Sequence, residues 1–240
     1  MKKLFLMMAL LTGTLVADAC TLIVYYSYTN NVERIVNELR TQIDADVVEI
    51  EPAEKGLDYA ANNYAIGSAQ IAAIRNNPGD AESYPPIDPV NVNLADYDCI
   101  IIGAPLWWSS MAAPLQTFLF HHGKDMAGRN IGLIVSSASS GISGVEADAR
   151  RLVPAGNFLS PSLWIRSSQT SNARSLIENW LKSISYDNLT SGIESISGGK
   201  PDRYTVYTLS GLKLTCNATS VSGIAGGIYV INGKKTRLKR

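Results

Sequence analysis

The chain has 240 residues, 46 % of them hydrophobic, enough to build one sizeable core with an appendage. Lys plus Arg number 21 and Asp plus Glu number 21, so charge alone directs the protein to neither nucleic acid nor an anionic membrane surface. Cys20, Cys99 and Cys216 lack metal-ligand spacing and imply no zinc or iron–sulfur centre.

The N-terminus reads as a targeting segment. Lys2 and Lys3 precede an apolar stretch, Leu4 to Val16, that is too short to span a bilayer comfortably. Ala17-Asp18-Ala19 then has the small-residue pattern of a cleavage site, so residues 1–19 are expected to be a signal peptide. The mature chain would begin at Cys20 and be exported to the periplasm or cell surface. A lipid anchor on Cys20 fits less well, because lipoprotein signals usually carry Leu where Ala17 stands.

From Thr21 onward, β-prone runs and helical patterns alternate. Thr21–Tyr26 is continuous and apolar, as a strand covered on both faces should be. Val32, Ile35, Val36, Leu39 and Ile43 recur at helical spacing, with Glu33 where a helix dipole favours an acid. Val47–Ile50 predicts a second strand. Leu57, Ala60, Ala61, Tyr64, Ile71 and Ile74 can share the face of one helix, ended by Asn76-Asn77-Pro78-Gly79. Further strands are expected over Asp98–Gly103, Ile131–Ser136 and within Phe158–Ile165. Helices are expected over Pro114–Phe120, over Val145–Val153 and after Ser171-Asn172. This alternation predicts an α/β domain over residues 20–186, a parallel sheet with helices on both faces. Residues 187–203 read as a Ser/Gly-rich linker. Residues 204–240 read as a small β tail, with a hairpin turn at Asn232-Gly233.

Three loops follow strands one, three and four, where open parallel sheets bind ligands at the carboxyl ends of their strands. The first contains Ser27, Thr29, Asn30, Asn31 and Val32 and leads into a helix N-terminus, favourable for a phosphate. The second contains Pro105, Leu106, Trp107, Trp108 and Ser109, two indoles that offer flat apolar surface. The third contains Ser137, Ala138, Ser139, Ser140, Gly141 and Gly144, a Ser/Gly-rich turn with hydroxyl and N–H donors.

Ser27 to Val32, Gly103 to Leu119 and Ser136 to Leu152 together resemble the flavodoxin-like family, in particular a quinone-reductase-type branch with a Pro-x-Trp-Trp loop. The resemblance spans about Thr21 to Ile184. It implies a three-layer sandwich with a five-stranded parallel sheet in the order 2-1-3-4-5, and FMN held by the three loops. The family's phosphate loop is Ser-x-Thr-Gly-Asn-Thr. Here Asn30 replaces Gly, and Asn reaches left-handed backbone angles more readily than most residues. Val32 replaces Thr, losing a phosphate hydrogen bond of about 1.5–3 kcal/mol, which corresponds to about one to two decades of affinity.

By the resemblance, the flavin carries electrons and no side chain need serve as acid or base. The donor could be a nicotinamide nucleotide or a redox protein partner, and the acceptor a quinone or other small molecule. No G-x-G-x-x-G fingerprint provides a separate nicotinamide site. Tyr59 and Tyr64 could reach over the flavin, or belong to an amphipathic helix packed on the sheet. His121-His122 suits a helix C-terminus better than a metal. A serine hydrolase is disfavoured, since there is no G-x-S-x-G elbow and both histidines precede the serine cluster. The competing reading is an exported binding module whose flavin site has decayed. Tyr204 to Gly211 and Gly227 to Lys235 are similar to C-terminal sorting modules of type IX secretion, which implies contact with export machinery.

Overall fold

The computed structural model describes residues 17–18, 20–192, 204–218, 220–232 and 234–238. Most of the expected signal peptide, residues 193–203 of the expected linker, and Gly233 of the expected hairpin turn lie outside the described residues.

The first aliphatic run forms β1 (Thr21–Tyr25), followed by α1 (Asn31–Leu39), β2 (Asp46–Glu49) and α2 (Ala61–Asn76). Then come β3 (Cys99–Trp107), α3 (Ala113–His122), β4 (Asn130–Ser137), α4 (Ser143–Leu152), β5 (Leu163–Arg166) and α5 (Ala173–Ser183). The strands pair in parallel in the order β2-β1-β3-β4-β5, the 2-1-3-4-5 order of the flavodoxin-like fold. The edge beyond β4 is shared, because Asn157–Phe158 pairs with its first residues before the chain departs and returns as β5.

Strand periodicity divides the core into two layers. Leu22, Val24, Ile100, Ile102, Ile131, Leu133 and Val135 pack toward α2, α3 and α4. The intervening Ile23, Tyr25, Cys99, Ile101 and Ile134 pack toward α1 and α5, with Trp180 closing that layer. Successive side chains of a strand point to opposite faces, so an unbroken apolar run requires cover on both. Burial pushes the free Cys99 thiol up to about 12, which keeps it a protonated core residue.

Two expectations change. Strand three does not stop at Gly103 but runs through Pro105 and Leu106 to Trp107, and Ser110–Met111 folds back against it. The helix expected to carry Leu57, Ala60, Ala61 and Tyr64 on one face is not regular there. Asn62, Asn63 and Tyr64 have φ of 49°, 55° and 63°, left-handed backbone that breaks the register before Ala65.

The tail is a separate unit. Tyr204–Thr208 (β6), Lys213–Ala218 (β7), Gly227–Ile231 (β8) and Lys234–Leu238 (β9) form an antiparallel sheet in the order β7-β6-β8-β9. Lys213–Ala218 adds to the strands expected in the tail, and its residues alternate polar and apolar as a half-covered strand should. Ser191–Gly192 pairs antiparallel with Ala17–Asp18, within the same unit as the tail.

Candidate functional site

The carboxyl ends of β1, β3 and β4 open on a cleft of about 440 Å³, within the roughly 300–1,000 Å³ typical of small-molecule sites. The first loop contributes Ser27, Thr29, Asn31 and Val32, along with Tyr28. Asn30 adopts φ 59° at the N-cap of α1 and makes no side-chain capping bond. Its tolerance of left-handed angles lets the loop turn sharply into the helix, and it does not line the cleft. Ser27 Oγ accepts from the Glu33 N–H at 3.2 Å, and Thr29 Oγ1 accepts from Asn31 Nδ2 at 3.1 Å. Each hydroxyl therefore keeps its hydrogen to donate outward, which suits an anion at the positive end of α1. Val32 reaches the cleft while remaining 1 % exposed.

The second loop is a two-residue hairpin turn with Trp107 opposite Ser110. Trp108 and Ser109 both have positive φ, 46° and 61°, as twist-matching hairpin turns require but non-glycine residues resist. The surroundings hold it in place. Arg75 Nη2 donates to the Trp108 carbonyl and to Ser110 Oγ, the latter at 2.9 Å. The Met111 N–H donates to Asp148 Oδ2 at 3.0 Å, and Arg151 ties Asp148 to Gln116. A Cβ on Gly144 would lie 1.8 Å from the Ser109 carbonyl oxygen, so only glycine lets α4 approach the turn. Gly144 thus stands beneath the Trp hairpin, and neither it nor Ser109 lines the cleft, whereas Pro105, Leu106, Trp107 and Trp108 do.

From the third loop, Ser137 and Ala138 line the cleft, together with Ser136. Ser139, Ser140 and Gly141 are exposed and lie outside it. Ser137 Oγ accepts from Trp164 Nε1 and donates to the Ser140 carbonyl, both at 2.8 Å, so its hydroxyl braces the loop.

Tyr28, Tyr59, Tyr64, Gly67, Ser136 and Ser167 complete the lining. Gly67 had a signal in the sequence, a lone glycine inside a helical pattern. A Cβ there would meet Trp108 Cζ3 at 3.0 Å and Trp107 Cε3 at 3.4 Å. Tyr28 donates to Asp58 Oδ1 at 3.2 Å and accepts from the Ala60 N–H at 3.0 Å, which draws Tyr59 against Trp107 at a centroid distance of 4.8 Å. Tyr59 is 3 % exposed, its hydroxyl buried beside the Gln70 side chain.

None of the cleft-lining side chains carries a charge. Burial raises the Tyr26 hydroxyl above its ordinary value, reinforced by the neighbouring Tyr59 and Tyr28, and Tyr59 is raised chiefly by burial too. The aromatic wall is thus neutral at physiological pH. Among the described residues, no three His, Cys, Asp or Glu side chains cluster so as to hold a metal ion.

A parallel sheet in the order 2-1-3-4-5, with a cleft at the ends of its first, third and fourth strands, defines a flavodoxin-like protein. The Flavodoxin family model matches residues 20–184, and the chain belongs to that family. Among solved structures, it is similar to a protein of Bacteroides eggerthii described as a flavoprotein. That likeness has 22 % identity and a TM-score of 0.56, and covers 70 % of this chain and 99 % of the other. A flavoprotein of Lactobacillus acidophilus in complex with FMN matches at 22 % identity and a TM-score of 0.52, covering 65 % and 99 %. A Bacteroides uniformis protein, also described as a flavoprotein, matches at 24 % and 0.53, covering 67 % and 99 %. No curated protein matches the chain.

Proposed function

We propose that this protein is an exported FMN-binding oxidoreductase that passes electrons to a small acceptor such as a quinone. The carrying observation is the convergence of three loops on one uncharged, aromatic-walled cleft whose first loop keeps two hydroxyl hydrogens free to donate. FMN is the ligand bound by the Lactobacillus acidophilus relative, and the donor set here suits it. Ser27, Thr29 and the first N–H groups of α1 would take the phosphate through hydrogen bonds and the helix dipole, without a cation. Pro105 to Trp108 would wall the isoalloxazine, as in a Pro-x-Trp-Trp branch of the family, and Ser136 to Ala138 would meet its polar edge. When bound, FMN supplies one- or two-electron redox chemistry. The chain's own residues bind it, orient it and exclude water from it.

Export is proposed on Lys2, Lys3, the apolar Leu4 to Val16 and Ala17-Asp18-Ala19, with the tail as a contact for export machinery. Sequencing the N-terminus of the mature protein tests this, with cleavage before Cys20 expected.

The FMN reading is tested by titrating purified protein with FMN. Saturable quenching of flavin fluorescence with a bound yellow chromophore is expected. Absence of saturation at high micromolar FMN would favour a binding module that keeps the fold without the cofactor.

A further inference from the structure

The even balance of charge over the whole chain conceals a division. Residues 204–240 hold Lys213, Lys234, Lys235, Arg237, Lys239 and Arg240 but none of the 21 Asp and Glu. The tail is therefore a cationic segment joined to an acidic remainder. It is also where aliphatic side chains stand in solvent. Among the described residues, the exposed large apolar side chains are Tyr64 and Trp108 at the cleft, with Leu209, Leu212, Leu214 and Ile228 in the tail. Leu209 is 58 % exposed and Leu212 64 %.

The register of the tail sheet gathers both features on one face. Directly opposite residues of antiparallel strands share a face, and successive residues alternate. Val206 pairs with Ile231, and both are buried, so theirs is the covered face. The other face carries Ile228 opposite Arg237 and Val230 opposite Lys235. Ile228, Lys235 and Arg237 are all exposed. Thr208, the last residue of β6, pairs with Tyr229, so Leu209 emerges at the end of the sheet where Ile228 lies. The Thr208 N–H donates to the Leu212 carbonyl at 2.8 Å and closes the turn that carries both leucines.

The cations alone have an ordinary explanation. β9 is an edge strand, where Lys discourages pairing with a further strand. Such protection does not call for leucines in solvent. A soluble polyanion would be met by the cations and would leave those leucines uncovered. An anionic lipid surface uses both, because aliphatic side chains enter the headgroup layer while Lys and Arg reach its phosphates.

We propose that the outward face of the tail sheet docks on an anionic lipid surface, with Leu209, Leu212 and Ile228 entering the headgroup layer and Lys235 and Arg237 meeting lipid phosphates. This is independent of the FMN reading and goes beyond the contact with export machinery proposed for the tail.

The test uses the full chain. Wild type and variants share one N-terminus, so differences between them report the sheet. Co-sedimentation is measured with vesicles of phosphatidylcholine alone, then of phosphatidylcholine and phosphatidylglycerol in about equal parts. Binding to the mixed vesicles that weakens in high salt is expected, with little binding to the neutral ones. Lys235→Glu combined with Arg237→Glu should weaken it by at least about twentyfold, and Leu209→Ser combined with Leu212→Ser by about tenfold. Lys235→Arg combined with Arg237→Lys, which keeps the charge, should bind as wild type does. A wild type that ignores the mixed vesicles overturns the proposal, as does a charge-reversed variant that binds them as tightly. A leucine variant that binds them as tightly as wild type assigns the face to soluble polyanions and likewise overturns the lipid reading.

Discussion

Trp107 is enclosed by Tyr26, Tyr28 and Tyr59, with ring centroids 5.6, 6.4 and 4.8 Å away, whereas its neighbour Trp108 lies half open to solvent. One indole is therefore fixed by its surroundings and the other is presented by a turn. The Tyr59 hydroxyl is buried beside the Gln70 side chain. Val32 is a residue with a measurable role. It stands where the family carries Thr, and Val32→Thr would add a donor beside Ser27 and Thr29. FMN titration should show affinity rising about tenfold. No change would mean that the other two hydroxyls and α1 hold the phosphate alone.

At the scale of elements, the Trp hairpin depends on helices distant in sequence. Arg75 from α2 and Asp148 from α4 hold its two sides, and Gly144 lets α4 pass against the Ser109 carbonyl. The sequence marked Gly144 as a residue of the binding loop. Its structural position explains a different need, since a methyl group there would overlap a backbone oxygen. Gly144→Ala should displace the turn, lower stability by about 1–3 kcal/mol and weaken FMN binding at least tenfold. Unfolding curves read the first effect and FMN titration the second. Helix α2 teaches a related lesson. Its periodic apolar residues correctly predicted a helix with Ile71 and Ile74 inside, but not the left-handed turn before it. Periodicity reports which residues want burial, not where the chain abandons regular geometry.

At the scale of the whole molecule, the chain divides into two compact units, one of them residues 19–190. The sheet of that unit has apolar side chains on both faces, packed into two separate layers. A domain with its own core should fold alone. A chain of residues 20–190 should therefore unfold in a single cooperative transition, and saturating FMN should raise its melting temperature by ligand linkage. Calorimetry with and without FMN checks both. A truncated chain that melts without cooperativity would show that the unit needs the rest of the protein.

Sequence alone determined the strand and helix order, the two-sided burial of the sheet and the three loops at one rim, because these follow from local periodicity and the parallel-sheet rule. It could not decide that Tyr59 and Tyr64 join the cleft, that Ser139 to Gly141 stay outside it, or that Gly144 packs against the Ser109 carbonyl. Those outcomes depend on contacts between residues tens of positions apart, made only when the helices pack. The place of Tyr64 also depends on three consecutive left-handed residues, angles that Asn62 and Asn63 tolerate and that a tyrosine resists.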